Sequence, residues 1–235
     1  MTPMNPLTEE ILAETRLHYD AERARAARRY FREPIESWGL SMQKCKEIAD
    51  AFYPQVKGNL PFALEVAGEL HRHGCFEVAI VGDDMLRRMR GRLTTRHFDV
   101  FDAWVDTLSN WANTDTLCTG LIFVTIRKDP RLAERLLDWT GSENRWRRRA
   151  SAVSLVPIAR RGEMLLDVFR IADRLMGDRE DMVQKGVGWL LKEASKKHPD
   201  EVREYLIRWR PKTSALILRY ASEKLPKYMR VLKRG

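Results

Sequence analysis

Arg148-Arg149-Ala150-Ser151-Ala152 and Gln184-Lys185-Gly186-Val187-Gly188 superpose after a shift of about 36 residues, each as two long polar side chains followed by three compact ones. The same shift carries Leu155 onto Leu191 and Arg160-Arg161 onto Lys196-Lys197. Lys128-Asp129-Pro130 and Lys197-His198-Pro199 each open a following helix, about two such periods apart. A single helix pair cannot bury its apolar face alone, whereas stacked pairs bury a continuous core. The recurrence is therefore the mark of a HEAT-like helical repeat solenoid (an α-α superhelix), with a non-repetitive helical bundle as the alternative. In a solenoid the second helix of each pair lines the concave side, which makes the segments near 113–127, 145–160 and 180–197 the inner helices.

Outward from this repeat the chain keeps the same character. Alternating Val/Ile/Thr runs closed by Asn-Gly or Asp-Gly turns are missing, so the fold class is all-α. Amphipathic periodicity predicts helices over 7–18, 20–32, 41–53, 60–73, 76–91, 95–109, 113–127, 130–140, 145–160, 163–176, 180–197, 199–209 and 213–223. Pro130 and Pro199 suit a first helical turn, where the missing N–H has no partner to lose, and Gly74, Gly141 and Gly177 suit helix ends. The expected organisation is one domain over 1–235, with N-terminal helices in 1–33 and a basic, accessory or frayed tail at 226–235.

Hydrophobic residues make up 44% of the 235, enough for a real core, so global disorder is excluded. Lys and Arg number 42 against 33 Asp and Glu, a net charge of +9 that favours a polyanionic partner. Cys45, Cys75 and Cys118 are odd in number and lack paired spacing, which argues against a disulfide framework and a zinc ribbon and fits a reducing, cytoplasmic compartment. Met1 to Pro6 lacks the basic-then-apolar pattern of a secretory signal, and no segment approaches the roughly 18 apolar residues of a membrane span. His71-x-His73-x-Cys75 has the residue types of a metal cluster, but residues two apart on a helix face different ways, so helix-end packing is expected there and no metal or cofactor is predicted.

The charge is concentrated. Arg145-Trp146-Arg147-Arg148-Arg149 is the densest cluster, and no acidic residue follows until Glu163. Arg160, Arg161, Lys185, Lys192, Lys196 and Lys197 extend it over one more repeat. Positive charge at a helix start opposes the macrodipole, so folding gains nothing obvious from Arg147 and Arg148, and a stripe that follows a phosphate backbone is the better reading. Arg145, Arg147, Arg148, Arg149, Lys185 and Lys192 are the candidate nucleic-acid contacts. Trp111 and Asp115, four apart, share a helix face; taken alone they read as a core tryptophan beside an N-capping aspartate. Trp189 follows two glycines, each costing roughly 1 kcal/mol relative to Ala inside a helix, which makes sense where another backbone, protein or DNA, comes close; a core tryptophan packed on a neighbouring helix is the alternative.

Together these pieces resemble a known family. Trp111-x-x-x-Asp115, Asn144-x-Trp146-x-x-Arg149 and Gly188-Trp189, on successive repeats, are similar to the AlkD-like DNA alkylation-repair glycosylases. The similarity runs from about residue 20 to 225 and is strongest from about 100 to 210; Glu69-Leu70 with Glu77 and the Trp38-Gly39-Leu40 turn are weaker signatures of it. The resemblance implies a cleft lined by Asp115, Trp111, Arg149 and Trp189 as the catalytic set. Three positions depart from the family pattern: His71 stands where a tryptophan is common, Ser41-Met42-Gln43 lacks the usual proline, and Lys192 replaces a frequent arginine.

Chemistry supports this set. An alkylpurine cation leaves as a neutral base without a strong general acid, so the useful protein group is an ionised carboxylate that stabilises the oxocarbenium-like sugar and orients water. Indoles attract the cationic base, and an arginine holds a phosphate. The expected function is thus a monofunctional glycosylase acting on N3- or N7-alkylated purines in double-stranded DNA, as a monomer. The alternatives are a non-catalytic module of the same fold for distorted or branched DNA, and a protein–protein scaffold.

Overall fold

The computed structural model describes residues 3–31 and 33–233. Met1, Thr2 and Arg32 of the predicted N-terminal segment, and Arg234 and Gly235 of the predicted tail, lie outside the described residues. Those described form an all-α fold with one isolated β-bridge, Glu36 to Cys75. Chain contacts group into two compact units, Met1–Leu121 and Ile122–Gly235.

The first unit holds α1 (Pro6–Leu17), α2 (Ala21–Tyr30), α3 (Met42–Val56), α4 (Leu60–Arg72), α5 (Phe76–Arg88), α6 (His97–Val105) and α7 (Trp111–Leu117). Polar caps set the starts: Asn5, Asp20, Ser41, Asn59 and Asn110 each accept a backbone N–H of the first turn that follows. Helix α1 packs on α3 and α4, α3 on α5, α4 on α5, and α5 on α7. Helices α3, α5 and α7 therefore stack each on the next, as the inner helices of a HEAT-like array do. Trp104 of α6 closes on α4 at Gly68, where a Cβ would stand 3.1 Å from the indole.

One buried carboxylate organises the loop after α2. Glu77, in the first turn of α5, accepts Ser37 Oγ at 2.6 Å and the backbone N–H groups of Trp38 and Gly39 at 3.0 and 2.9 Å. These charge-assisted bonds offset its desolvation. Gly39 has φ +80°, and a Cβ there would lie 2.2 Å from the Asp20 carbonyl oxygen, so only glycine passes between the carboxylate and α2.

The second unit holds α8 (Phe123–Lys128), α9 (Ala133–Trp139), α10 (Arg145–Val153), α11 (Val156–Ala159), α12 (Leu165–Leu175), α13 (Asp181–Ala194), α14 (Pro199–Trp209) and α15 (Ala215–Ala221). Helix α9 packs on α10 and α12, α10 on α13, and α13 on α12 and α15, the same layering. The helix predicted over 145–160 is broken after Val153, because Pro157 has no N–H to offer the Val153 carbonyl. The tail is docked through Lys233 rather than frayed: Ser222 Oγ bonds both the N–H and C=O of Val231, and Lys233 Nζ reaches the Arg210 carbonyl at 2.8 Å.

Candidate active site

Trp111 opens α7 and Asp115 follows one turn later, both half-buried. The cap of this helix is Asn110, whose side chain accepts the Asn113 N–H at 2.9 Å, so the capping role available to Asp115 in the sequence is already filled. Asp115 is instead an interior helical residue on the Trp111 face. Trp111 stacks on Phe31 at 5.3 Å and 24°, and Tyr30, exposed at the end of α2, meets it edge-on at 6.2 Å. Phe76 completes the cluster through Phe31 at 5.3 Å. Tyr30 and Phe31 were missed in the sequence because nothing local links them to a residue some 80 positions away.

The helix bearing Asp115 does not run on as a regular α-helix. Cys118–Ile122 is a π-turn, and Thr119 Oγ1 donates to the Asp115 carbonyl at 2.6 Å, competing with the ordinary backbone ladder. Gly120 lies in this turn, and a Cβ there would stand 3.1 Å from Arg87 Cδ, so the Arg87 stem lies directly against the helix.

In the second unit, Asn144 caps α10 by accepting the Trp146 N–H at 2.9 Å. The arginine cluster that follows is not locally uncompensated, which corrects the sequence expectation. Arg145 pairs with Glu180 at 3.2 Å and sits over its neighbour Trp146, 4.9 Å from the ring centre. Arg148 pairs with the nearly buried Asp178 at 2.7 Å and donates to the Ser142 and Glu143 carbonyls. Folding therefore does gain from Arg148: it ties the start of α10 to the loop before α13. Arg147 lies over Trp139 at 5.3 Å. Arg149 is 5% exposed and its guanidinium donates to the Met182 carbonyl.

Lys185, Trp189 and Lys192 lie at helical spacing on one stripe of α13, all half-buried. Lys192 pairs with Glu223 at 3.3 Å. Glycines 186 and 188 explain themselves. A Cβ on Gly186 would meet Arg149 Cγ at 3.3 Å, and one on Gly188 would meet Tyr220 Cβ at 2.4 Å, so the close approach is to α10 and α15. Burial pushes the Glu193 carboxyl up, but bonds from Lys196 and Arg160 outweigh it and hold it below its ordinary value.

His71, His73 and Cys75 diverge as expected of a helix end. His71 bonds the buried Asp83 at 2.8 Å and stacks on Trp104, His73 meets Trp38 edge-on, and the Cys75 thiol points to Glu77. Among the described residues no cluster of three or more His, Cys, Asp or Glu is placed to hold a metal, and no helix is long and apolar enough to cross a membrane. The three cysteines are free and buried.

The profile of the DNA alkylation repair enzyme family matches residues 11–225. The chain belongs to that family. A search of curated protein sequences returned no match. Solved structures share the fold: a predicted DNA alkylation repair enzyme from Enterococcus faecalis has TM-score 0.72 at 16% identity, over 97% of this chain and 99% of that one. AlkD2 from Streptococcus mutans has TM-score 0.63 at 17% identity, over 94% and 99%. The alkylpurine DNA glycosylase AlkC from Pseudomonas fluorescens, bound to DNA containing an abasic site analogue, has TM-score 0.53 at 19% identity, over 96% and 65%. For this alkylation-repair family member, His71 at a position where the resemblance expects tryptophan is a packing exchange, since its ring is spent on Asp83 and Trp104.

Proposed function

We propose that this alkylation-repair protein is a DNA glycosylase that hydrolyses the N-glycosidic bond of cationic N3- or N7-alkylated purines in duplex DNA. The observation that carries the reading is Asp115: a half-buried carboxylate inside α7, one turn from a stacked indole, in a chain matched to the repair family over 11–225. In the reaction the C1′–N bond breaks and its electron pair leaves with the purine, which departs neutral. The sugar becomes oxocarbenium-like, and the Asp115 carboxylate stabilises it electrostatically and orients the attacking water. Water adds at C1′ and loses one proton, giving an abasic site and the free base.

Trp111 and Trp189 offer π-faces to the alkylated base or its sugar, favouring the cation over a neutral purine. Arg149, which also donates to the Met182 carbonyl, is assigned to a phosphate flanking the lesion. Arg145, Arg147, Arg148, Lys185 and Lys192 are assigned to the wider duplex. The ion pairs of Arg145, Arg148 and Lys192 with Glu180, Asp178 and Glu223 are the contacts that phosphate would have to share.

The test is quantified release of 3-methyladenine and 7-methylguanine from methylated duplex DNA by wild type and Asp115→Asn. Wild type is expected to release base, and the variant to be slower by about 100-fold or more while retaining duplex affinity within about threefold. Binding without release by the wild type would replace this reading with the non-catalytic module. Failure of both would leave the scaffold.

A further inference from the structure

The sequence placed the candidate DNA contacts on the helices of the second unit, but the first unit carries a cationic recess of its own. An open cavity of about 600 Å³ is lined by Met42, Gln43 and Lys46 of α3, Asp84, Arg87 and Arg88 of α5, and Arg90 just beyond. Four cations thus face one carboxylate. They are not equivalent. Arg88 is tied to Asp50 and lies over the Tyr53 ring at 5.1 Å, so its role is to join α5 to α3. Lys46 has only a loose 3.6 Å pair with Asp50 and stays largely exposed. Arg87 holds Asp84 at 3.3 Å with about half its side chain in solvent. Arg90 is exposed and has no acidic partner among the described residues.

Concentrating these charges opposes folding by mutual repulsion; Asp50 and Asp84 offset part of it, and an anion seated among Lys46, Arg87 and Arg90 would offset the rest. The recess also connects to the helix of Asp115: the Arg87 stem crosses it at Gly120, five residues and one π-turn after the carboxylate. We infer that Lys46, Arg87 and Arg90 form a second phosphate-binding site, in the first unit, that grips the DNA backbone beside the Asp115 helix. The inference rests on the glycosylase reading for its ligand, a nucleic-acid phosphate. Free dianions lack the neighbouring phosphates that would engage Lys46 and Arg90 together, so the backbone is the fitting source.

The experiment measures duplex affinity by fluorescence anisotropy, with a short labelled duplex carrying one abasic-site analogue, from about 50 to 200 mM sodium chloride. Each neutralised phosphate contributes about −0.9 to the slope of log affinity against log salt. The Lys46→Gln/Arg87→Gln/Arg90→Gln variant is expected to have a slope shallower by about 2 to 3. Arg87→Lys/Arg90→Lys, which keeps the charge, is expected to retain the wild-type slope. Lys212→Gln/Lys224→Gln, removing exposed cations elsewhere, is expected to change it by less than about 0.5. Native circular dichroism of each variant separates lost charge from lost fold.

An unchanged slope in a folded triple variant would overturn the site while leaving base release, and hence the glycosylase reading, standing. A slope lost equally in the Lys212/Lys224 control would also overturn it, as general electrostatics. A shallower slope in the triple variant alone, from a wild type that releases no base, would support the site and sink the glycosylase. No duplex binding by wild type would overturn both.

Discussion

Replacing Gly188 with alanine sets two known effects against each other, and the structure decides between them. Alanine inside a helix is favoured over glycine by about 1 kcal/mol. Against that, the new methyl would stand 2.4 Å from Tyr220 Cβ and 3.4 Å from the Ile217 carbonyl oxygen. Carbon atoms rest at roughly 3.5–4.0 Å, so α13 and α15 must separate locally by about 1 Å. The obstruction is the root of a side chain, which cannot rotate away. Overpacking of this kind costs about 1–3 kcal/mol, and parting two helix backbones belongs at its upper end. The net expectation for Gly188→Ala is a loss of about 1–2 kcal/mol.

Gly186→Ala, two residues earlier on the same helix, supplies the internal control. Its nearest obstacles are Arg149 Cγ at 3.3 Å and Val153 Cγ2 at 3.4 Å, and a shift of a few tenths of an ångström in the arginine stem relieves the first. The propensity gain then survives, and the variant is expected to be neutral or more stable by up to about 1 kcal/mol. Urea titration followed by helical ellipticity reads both, and the melting temperature should move by about 2–4 °C per kcal/mol. A Gly188→Ala protein as stable as wild type, or the opposite order for the pair, would refute the close-approach reasoning.

Three further outcomes are expected. His71→Ala or Asp83→Asn strands the other member of a buried pair and should cost about 3–5 kcal/mol by urea titration; a loss under about 1 kcal/mol would show the pair to be idle. Burial, aided by Glu77, pushes the thiols of Cys45 and Cys75 up to about 12. Both should therefore resist Ellman's reagent at pH 8 in the folded protein and react on unfolding. Because the folded values lie above the unfolded ones, their contribution to stability is complete below about pH 9 and is lost as pH rises toward 12. Unfolding midpoints that stay flat over that window would contradict this.

Much of the fold was legible because it is written at short range. Apolar periodicity, Pro130 and Pro199 in first turns, and Gly74 at a helix end each need only neighbours within a turn or two. What escaped reading depended on distance or on a single atom. Pro157 splits 145–160 through one absent N–H. The π-turn after Asp115 depends on a hydroxyl, a glycine and the stem of Arg87 from another helix.

The candidate site divides in the same way. Trp111 and Asp115 were readable as one face, since four-residue spacing fixes that. The counter-charges of Arg145 and Arg148 were not, because the acids come from the next repeat: Glu180 and Asp178 lie 35 and 30 residues on. Charge counted along the chain overstated the field for that reason. The repeat that revealed the fold also conceals its ion pairs, since stacking makes neighbours of residues one period apart.

Glu77 carries a consequence for how this sequence can drift. Two of the four groups it grips, at Trp38 and Gly39, are main-chain amides, which every residue but proline possesses. Apart from the Ser37 hydroxyl, the loop's side chains are thus anonymous to their clasp, and substitutions at 38 leave the grip intact so long as an amide remains. The acid itself has no such latitude, nor has the glycine squeezed beneath it. Tolerance of the clasp itself should therefore be lopsided, wide wherever it holds only an amide and close to nil at its buckle.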